Sequence, residues 1–136
     1  MSDTLAKIET PQWMLDLFKA IDTLDLSEGS GFKAMKDDID LQFGPSERTQ
    51  GIDNVKKWFA KLDGPFITEH IVDVVYSCAG GTCYVMQGTA KIRKKDGADT
   101  FEVKPLMNIF WLDDADKKIV RYIVDFPPAI AKANGM

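Results

Sequence analysis

The sequence predicts one α+β domain in which amphipathic helices precede and cover an antiparallel sheet. Two observations predict it. Apolar residues recur at helical spacing as far as Leu62, and from Phe66 onward they alternate with a period of two. The chain has 136 residues, enough for one domain with its own core, so we assign residues 1–136 to a single domain.

The first helix is predicted to begin at Thr10-Pro11, a hydroxyl N-cap followed by proline at the first helical position. Its apolar face is formed by Met14, Leu17, Phe18, Ile21 and Leu24. We expect the helix to end near Leu26, before a Ser-Glu-Gly-Ser-Gly segment. A short helical piece over 31–36 then leads into a strand over 39–43, which Gly44-Pro45 ends.

A second amphipathic helix and four long strands complete the predicted fold. The helix carries Ile52, Val55, Phe59 and Leu62 on one face and ends at Gly64-Pro65. The strands are predicted over 66–78, 82–94, 100–112 and 118–126. Their short connecting turns favour antiparallel hairpins. Because the segment 105–112 is apolar on both faces, both need cover. Helices cover one face, and we predict that a second copy covers the other, in a homodimer through the sheet.

Composition excludes several function classes. The net charge is −4 and no basic tract occurs, so nucleic-acid binding is not expected. No apolar run approaches the roughly 20 residues that span a bilayer, so we predict no membrane partner. The N-terminus lacks the apolar core of a signal peptide, which favours a cytoplasmic protein. Cys78 and Cys83 flank a turn and are expected as reduced thiols, although their placement also permits a disulfide. One histidine is too few for a metal site with these cysteines, and we expect no cofactor.

Asp125 is the first candidate for chemistry. It lies among Ile123, Val124 and Phe126, where a carboxylate is costly to desolvate without a partner or a role. One interpretation is a pocket carboxylate that moves a proton. The other is a strand-end carboxylate facing solvent, because Tyr122, Val124 and Phe126 form the more apolar face and Asp125 is opposite.

His70 and Asp22 are the other catalytic candidates. His70 is the only histidine and suits acid–base chemistry, although a lone histidine on an apolar strand face is often a core residue. A dyad of Asp125 and His70 would strengthen both assignments, because the carboxylate would select the imidazole tautomer. Asp22 lies at the edge of the first helix's apolar face, where it either meets solvent or enters a pocket.

Three segments carry a family resemblance. They are Gly-Ile-Asp-Asn-Val-Lys-Lys-Trp-Phe opening the second helix, the Lys-Lys-Asp-Gly turn, and the terminal Lys-Lys-Ile-Val-Arg-Tyr-Ile-Val-Asp-Phe strand. With the order of elements, they resemble the nuclear-transport-factor-2-like (NTF2-like) superfamily, nearest to its SnoaL-like group of small cyclases, dehydratases, isomerases and epoxide hydrolases. The resemblance implies a cone: a curved sheet wrapped on helices, with a deep pocket at its open end.

The resemblance implies roles for individual residues. Asp125 matches the final-strand aspartate that acts as acid or base in SnoaL-type cyclases, and His70 and Asp22 are similar in position to the catalytic histidine and first-helix aspartate of scytalone dehydratase. Limonene epoxide hydrolase has an Arg-x-Asp pair on its middle strand, where this chain reads Met-Gln-Gly-Thr-Ala, so that machinery is incomplete here.

The function expected from this resemblance is cofactor-independent acid–base isomerisation, cyclisation or dehydration of an apolar, cyclic or polyketide-like molecule. The alternative is a non-catalytic module of the same fold that binds a hydrophobic ligand or dimerises. For the pocket lining, core packing competes with a substrate-binding role at each candidate. These candidates are Trp13, Phe18, Phe43, Trp58, Phe59, Tyr84, Met86, Met107 and Asn108.

Overall fold

The computed structural model describes residues 5–97 and 99–129. Within these residues the helices are α1 (Gln12–Thr23) and α2 (Ile52–Asp63). The strands are β1 (Ala6–Ile8), β2 (Met35–Phe43), β3 (Thr49–Gln50), β4 (Phe66–Cys78), β5 (Cys83–Lys94), β6 (Thr100–Leu112) and β7 (Ile119–Asp125). Both predicted helices and all the predicted strands are present, and the α+β class is confirmed.

One seven-stranded sheet carries the fold, in the order β1-β4-β5-β6-β7-β2-β3. The strands β4 to β7 form the predicted antiparallel meander. The sheet is nevertheless mixed, because β2 pairs with β7 in parallel. The sequence did not predict a partner for β2, since that partner lies far along the chain and local turn signals carry no information about it.

The sequence reading also missed short elements. β1 has three residues and β3 has two, too few for any alternation to be visible. The helical piece predicted over 31–36 is a 3₁₀ turn over Gly31–Ala34, and β2 begins directly after it at Met35.

A bulge in β4 changes which side chains face the core. The pairing with β5 shifts between Val72 and Val74, so the alternation reverses there. His70, before the bulge, faces the helices as predicted, whereas after it Val75 is buried and pairs with Met86. A strict alternation along 66–78 would instead place Val74 and Tyr76 on the face of His70.

The core lies between the helices and the inner face of the sheet. α1 contributes Met14, Leu17, Phe18 and Ile21, all buried. The outer face of β6 is only half-buried at Met107, Ile109 and Trp111. No helix in the described part of the chain is long and apolar enough to cross a membrane.

Candidate functional site

A cavity of about 40 Å³ lies between the two helices and the inner face of the sheet. It exists partly because the central strand β5 presents a small side chain, Ala90, directly opposite His70 in the register. The lining residues are Ile21, Phe43, Phe59, Leu62, Asp63, Thr68, His70, Ala90, Ile92, Val103, Leu106, Tyr122, Val124 and Phe126.

His70 is held by Asp22 in the wall of this cavity. The Nδ1 atom of His70 lies 2.5 Å from Asp22 Oδ1, and the backbone N–H of His70 donates to Asp22 Oδ2 at 2.9 Å. The imidazole also stacks on Phe18, with ring centroids 4.8 Å apart and planes inclined by 4°. A carboxylate bound to Nδ1 selects the tautomer in which Nδ1 carries the hydrogen and Nε2 keeps its lone pair. The ring is thus fixed in position and in tautomer.

The Asp22–His70 pair lies between two spaces. His70 lines the inner cavity, and both residues also line a surface groove of about 480 Å³ beside Leu15 and Lys19. Asp22 therefore borders only the outer groove, whereas His70 borders both the groove and the inner cavity.

Asp63 is a second acidic group in the cavity, and sequence reasoning missed it. It is the last residue of α2, and no hydrogen bond or ion pair reaches its carboxyl group within residues 5–97 and 99–129. Burial raises the pKa of Asp63 from 3.8 to about 6; nearby His70 lowers this pKa and nearby Asp22 raises it further. At neutral pH Asp63 can thus exchange a proton. One signal was present in the sequence: a carboxylate in the last turn of a helix opposes the helix dipole.

Two further polar side chains, Thr68 and Tyr122, border the cavity. Thr68 is on the face of β4 that carries His70, and it is 8% exposed. The Tyr122 hydroxyl, fully buried, donates to Asn108 Oδ1, and the Tyr122 ring stacks on Phe110 at 4.5 Å. Burial, with the nearby charges of Asp63 and Asp22, raises the pKa of Tyr122 strongly, so this phenol stays neutral.

Asp125 lies away from the cavity. It is exposed and pairs with Met107 in the register, on the outer face of the sheet. Of the two interpretations of Asp125, this position is that of the strand-end carboxylate facing solvent, and Asp125 forms no dyad with His70. A period of two places Asp125 opposite Tyr122 and Val124, which line the cavity from the same strand. The partner of His70 is Asp22.

The predicted substrate-binding residues divide into three groups. Phe43 and Phe59 line the cavity, and Phe18 lines the groove. Five others are buried or partly buried outside the cavity, as core packing would place them. These five are Trp13, Trp58, Tyr84, Met86 and Asn108. Met107 is on the outer face with Asp125.

Comparisons with known proteins concern the fold of this chain. No family model matches the sequence, and no curated protein matches it. Solved structures do match. A protein with a ketosteroid isomerase-like fold from Catenulispora acidiphila, in complex with trimethylamine, has a TM-score of 0.76 at 12% identity, covering 92% of each chain.

Two other structures are similar over most of their length. A presumed SnoaL-like polyketide cyclase from Shewanella denitrificans has a TM-score of 0.73 at 12% identity, covering 90% of this chain and 93% of its own. TerC, co-crystallised with polyporic acid, has a TM-score of 0.72 at 15% identity, covering 90% of this chain and 94% of its own. The predicted resemblance is confirmed at the level of the fold: the chain has the fold of these NTF2-like structures, which include SnoaL-like proteins.

Proposed function

We propose that this protein is a small cofactor-independent enzyme that performs acid–base isomerisation, cyclisation or dehydration of a largely apolar cyclic or polyketide-like molecule. One observation carries the proposal. A histidine fixed by a carboxylate and a second carboxyl group without a hydrogen-bond partner in the described chain line the same apolar cavity. Paired titratable groups in different environments are the usual basis of acid–base catalysis.

His70 acts as the base and Asp63 as the acid in this proposal. A cyclic β-hydroxy ketone needs more space than the cavity of about 40 Å³ offers, so this proposal requires the cavity to widen as the ketone binds. His70 Nε2 then removes a proton from the carbon next to the carbonyl group. The electron pair of that C–H bond forms the new C=C bond. The β-hydroxyl group takes a proton from Asp63 and leaves as water. His70 ends as imidazolium and Asp63 as carboxylate, and one proton returned from His70 to Asp63 restores both.

Asp22 positions His70 and links it to solvent in this proposal. It orients the imidazole through the contact of Oδ1 with Nδ1, and its Oδ2 accepts from the backbone N–H of His70. Asp22 also borders the outer groove, so it connects the base to bulk water without opening the cavity. The known co-crystal of TerC with polyporic acid supports an organic, oxygen-bearing ligand for this form of the fold.

Deuterium exchange tests the proposal. Cyclohexanone in D₂O is followed by proton NMR for loss of the hydrogens next to its carbonyl group, with wild type, His70→Asn and Asp125→Asn. Asn at position 70 retains a donor toward Asp22 while removing Nε2, so exchange is expected to fall to the buffer rate. Asp125→Asn is the matched control outside the cavity and should exchange as wild type does. Equal rates for wild type and His70→Asn contradict the proposal.

The second candidate function is non-catalytic binding of a hydrophobic ligand. The apolar side chains that make up most of the cavity lining favour it. A binder would take up the ketone, seen as shifts of the His70 ring signals, without accelerating its exchange.

We also propose a homodimer formed through the outer face of the sheet. The half-buried Met107, Ile109 and Trp111 give that face an apolar centre, and Arg121 lies over the Trp111 ring at 5.3 Å. Light scattering should give twice the chain mass of 15.2 kDa, and Ile109→Glu should halve the measured mass. A wild-type mass of one chain contradicts this proposal. The cytoplasmic location stays a prediction.

A further inference from the structure

Among residues 5–97 and 99–129, the hydroxyl group of Thr68 has no hydrogen-bond partner, although Thr68 is only 8% exposed and borders the cavity. Leaving a buried hydroxyl unpaired costs on the order of 1–3 kcal/mol, so buried hydroxyl groups are nearly always paired. The partner of this one is therefore to be sought inside the cavity, since the described protein atoms around Thr68 supply none.

The polar groups of the cavity are on one side. Asp63, Thr68 and His70 all come from the end of α2 and the first half of β4. Thr68 and His70 are two residues apart on one strand face, so their Cα atoms are roughly 7 Å apart. A ligand that interacts with all three of these side chains therefore has its oxygen and its reacting carbon on the same edge.

The opposite side is hydrocarbon. It is formed by Phe43, Val103, Leu106, Val124 and Phe126, with the rings of Phe43 and Phe126 5.5 Å apart. Tyr122 is also on this side, but its hydroxyl hydrogen is already donated to Asn108. A ligand with polar groups on both edges would lose hydrogen bonds to water here and gain none.

We propose that Thr68 is the oxygen anchor of this cavity: its hydroxyl group donates a hydrogen bond to the carbonyl oxygen of a small cyclic ketone whose far edge is hydrocarbon. This assignment rests on the proposed function, because it places the carbon next to that carbonyl group against His70. It defines the substrate class as compact ring ketones oxygenated along one edge. Thr68 is then a binding residue that determines specificity.

Matched ligands and matched variants test the anchor. Cyclohexanone and methylenecyclohexane have nearly the same shape, but only the ketone accepts a hydrogen bond. Each is titrated into wild type, Thr68→Val and Thr68→Ser, and the ring signals of His70, the only histidine, report binding. Valine keeps the branched shape and removes the hydroxyl group, whereas serine keeps the hydroxyl group. We expect Thr68→Val to weaken ketone binding about 3- to 10-fold, Thr68→Ser to keep it, and the hydrocarbon to bind all three proteins alike.

Three results overturn the anchor: equal ketone affinity of wild type and Thr68→Val, equal weakening of ketone and hydrocarbon, or no ketone binding up to its solubility limit. Thermal unfolding of each variant shows whether it is folded. If Thr68→Val is unfolded, Thr68→Ser alone tests the anchor. A folded Thr68→Ser variant that no longer binds the ketone more tightly than the hydrocarbon also overturns the anchor. Failure of the proposed function is seen separately. Ketone binding that depends on Thr68 without deuterium exchange keeps the anchor and removes the catalysis. Deuterium exchange without any dependence of ketone binding on Thr68 keeps the catalysis and removes the anchor.

Discussion

The carboxyl groups on the two sides of the sheet are in opposite environments. On the inner side, Asp22 binds His70 and Asp63 lies in an apolar cavity with a raised pKa. On the outer side, Asp125 is exposed beside Met107 and lacks any such environment. The side of the sheet that a carboxylate lies on, more than the apolar character of its sequence neighbours, decides whether it is desolvated enough for chemistry.

The largest difference between the faces is expected in proton transfer. Replacing His70 by asparagine removes the base Nε2, and we expect ketone exchange to slow by about 100-fold or more. The initial rate of deuterium uptake by cyclohexanone measures it. A loss smaller than about threefold would place the base elsewhere.

Asp63 distinguishes the inner face by the pH dependence of its stability. The raised pKa of about 6, against 3.8 without burial, means that the folded state holds this proton more tightly than the unfolded state. The free energy of unfolding attributable to Asp63 is therefore complete below pH ~4 and falls as pH rises toward ~6, by up to about 3 kcal/mol. Asp63→Asn should remove this loss. The variant should be more stable than wild type above pH ~7 and nearly equal to it below pH ~4.

Urea unfolding of wild type and Asp63→Asn across this pH range provides the measurement. Asp125→Asn serves as the matched substitution on the outer face and should give no such divergence. Parallel curves for wild type and Asp63→Asn would show that Asp63 is as well solvated as an exposed carboxylate.

Substitutions in the Tyr122–Asn108 pair test whether water reaches the inner face of the sheet. Tyr122→Phe leaves the fully buried amide of Asn108 without its partner, and we expect a loss of about 1–3 kcal/mol in the free energy of unfolding. The double variant Tyr122→Phe/Asn108→Leu removes both polar groups and should recover part of this loss. Urea unfolding of the two variants measures these changes in the free energy of unfolding. If Tyr122→Phe is as stable as wild type, water replaces the lost hydrogen bond.

The smallest effect is expected on the outer face. Asp125→Asn should change the ketone exchange rate by less than about twofold and, for the single chain, the free energy of unfolding by less than about 0.5 kcal/mol, since exposed substitutions without partners have small effects. The same exchange assay and urea unfolding measure both quantities. A large loss of exchange would make Asp125 a catalytic residue despite its exposed position.

Local patterns were sufficient for most of the fold. The predicted bounds 66–78 and 100–112 are those of β4 and β6, because short turn segments rich in Gly, Pro or Asp mark both ends of each strand. The parallel pairing of β2 with β7 could not be predicted, since it joins distant segments. The bulge in β4 could not be predicted either, because one extra residue leaves the composition unchanged while reversing the alternation.

The candidate site could be predicted only in part. His70 was found because it is unique, and Asp22 because it borders an apolar helix face. Their contact spans 48 positions of sequence and is a property of the tertiary fold. Asp63 follows an ordinary amphipathic helix and precedes Gly-Pro, so its sequence context is that of a solvated helix end. Only the return of the chain into β4 places it over the cavity.

The size of the cavity and its proton-transfer chemistry depend on different residues, and Ala90 affects only the size. The cavity volume depends on a methyl group at the centre of the sheet, whereas the proton-transfer groups are on its border, on other elements. Changing this one position to glycine or valine would enlarge or reduce the space and leave Asp22, Asp63 and His70 in place. Ligand size can therefore diverge among descendants of this chain by single substitutions on β5, with the reaction inherited intact.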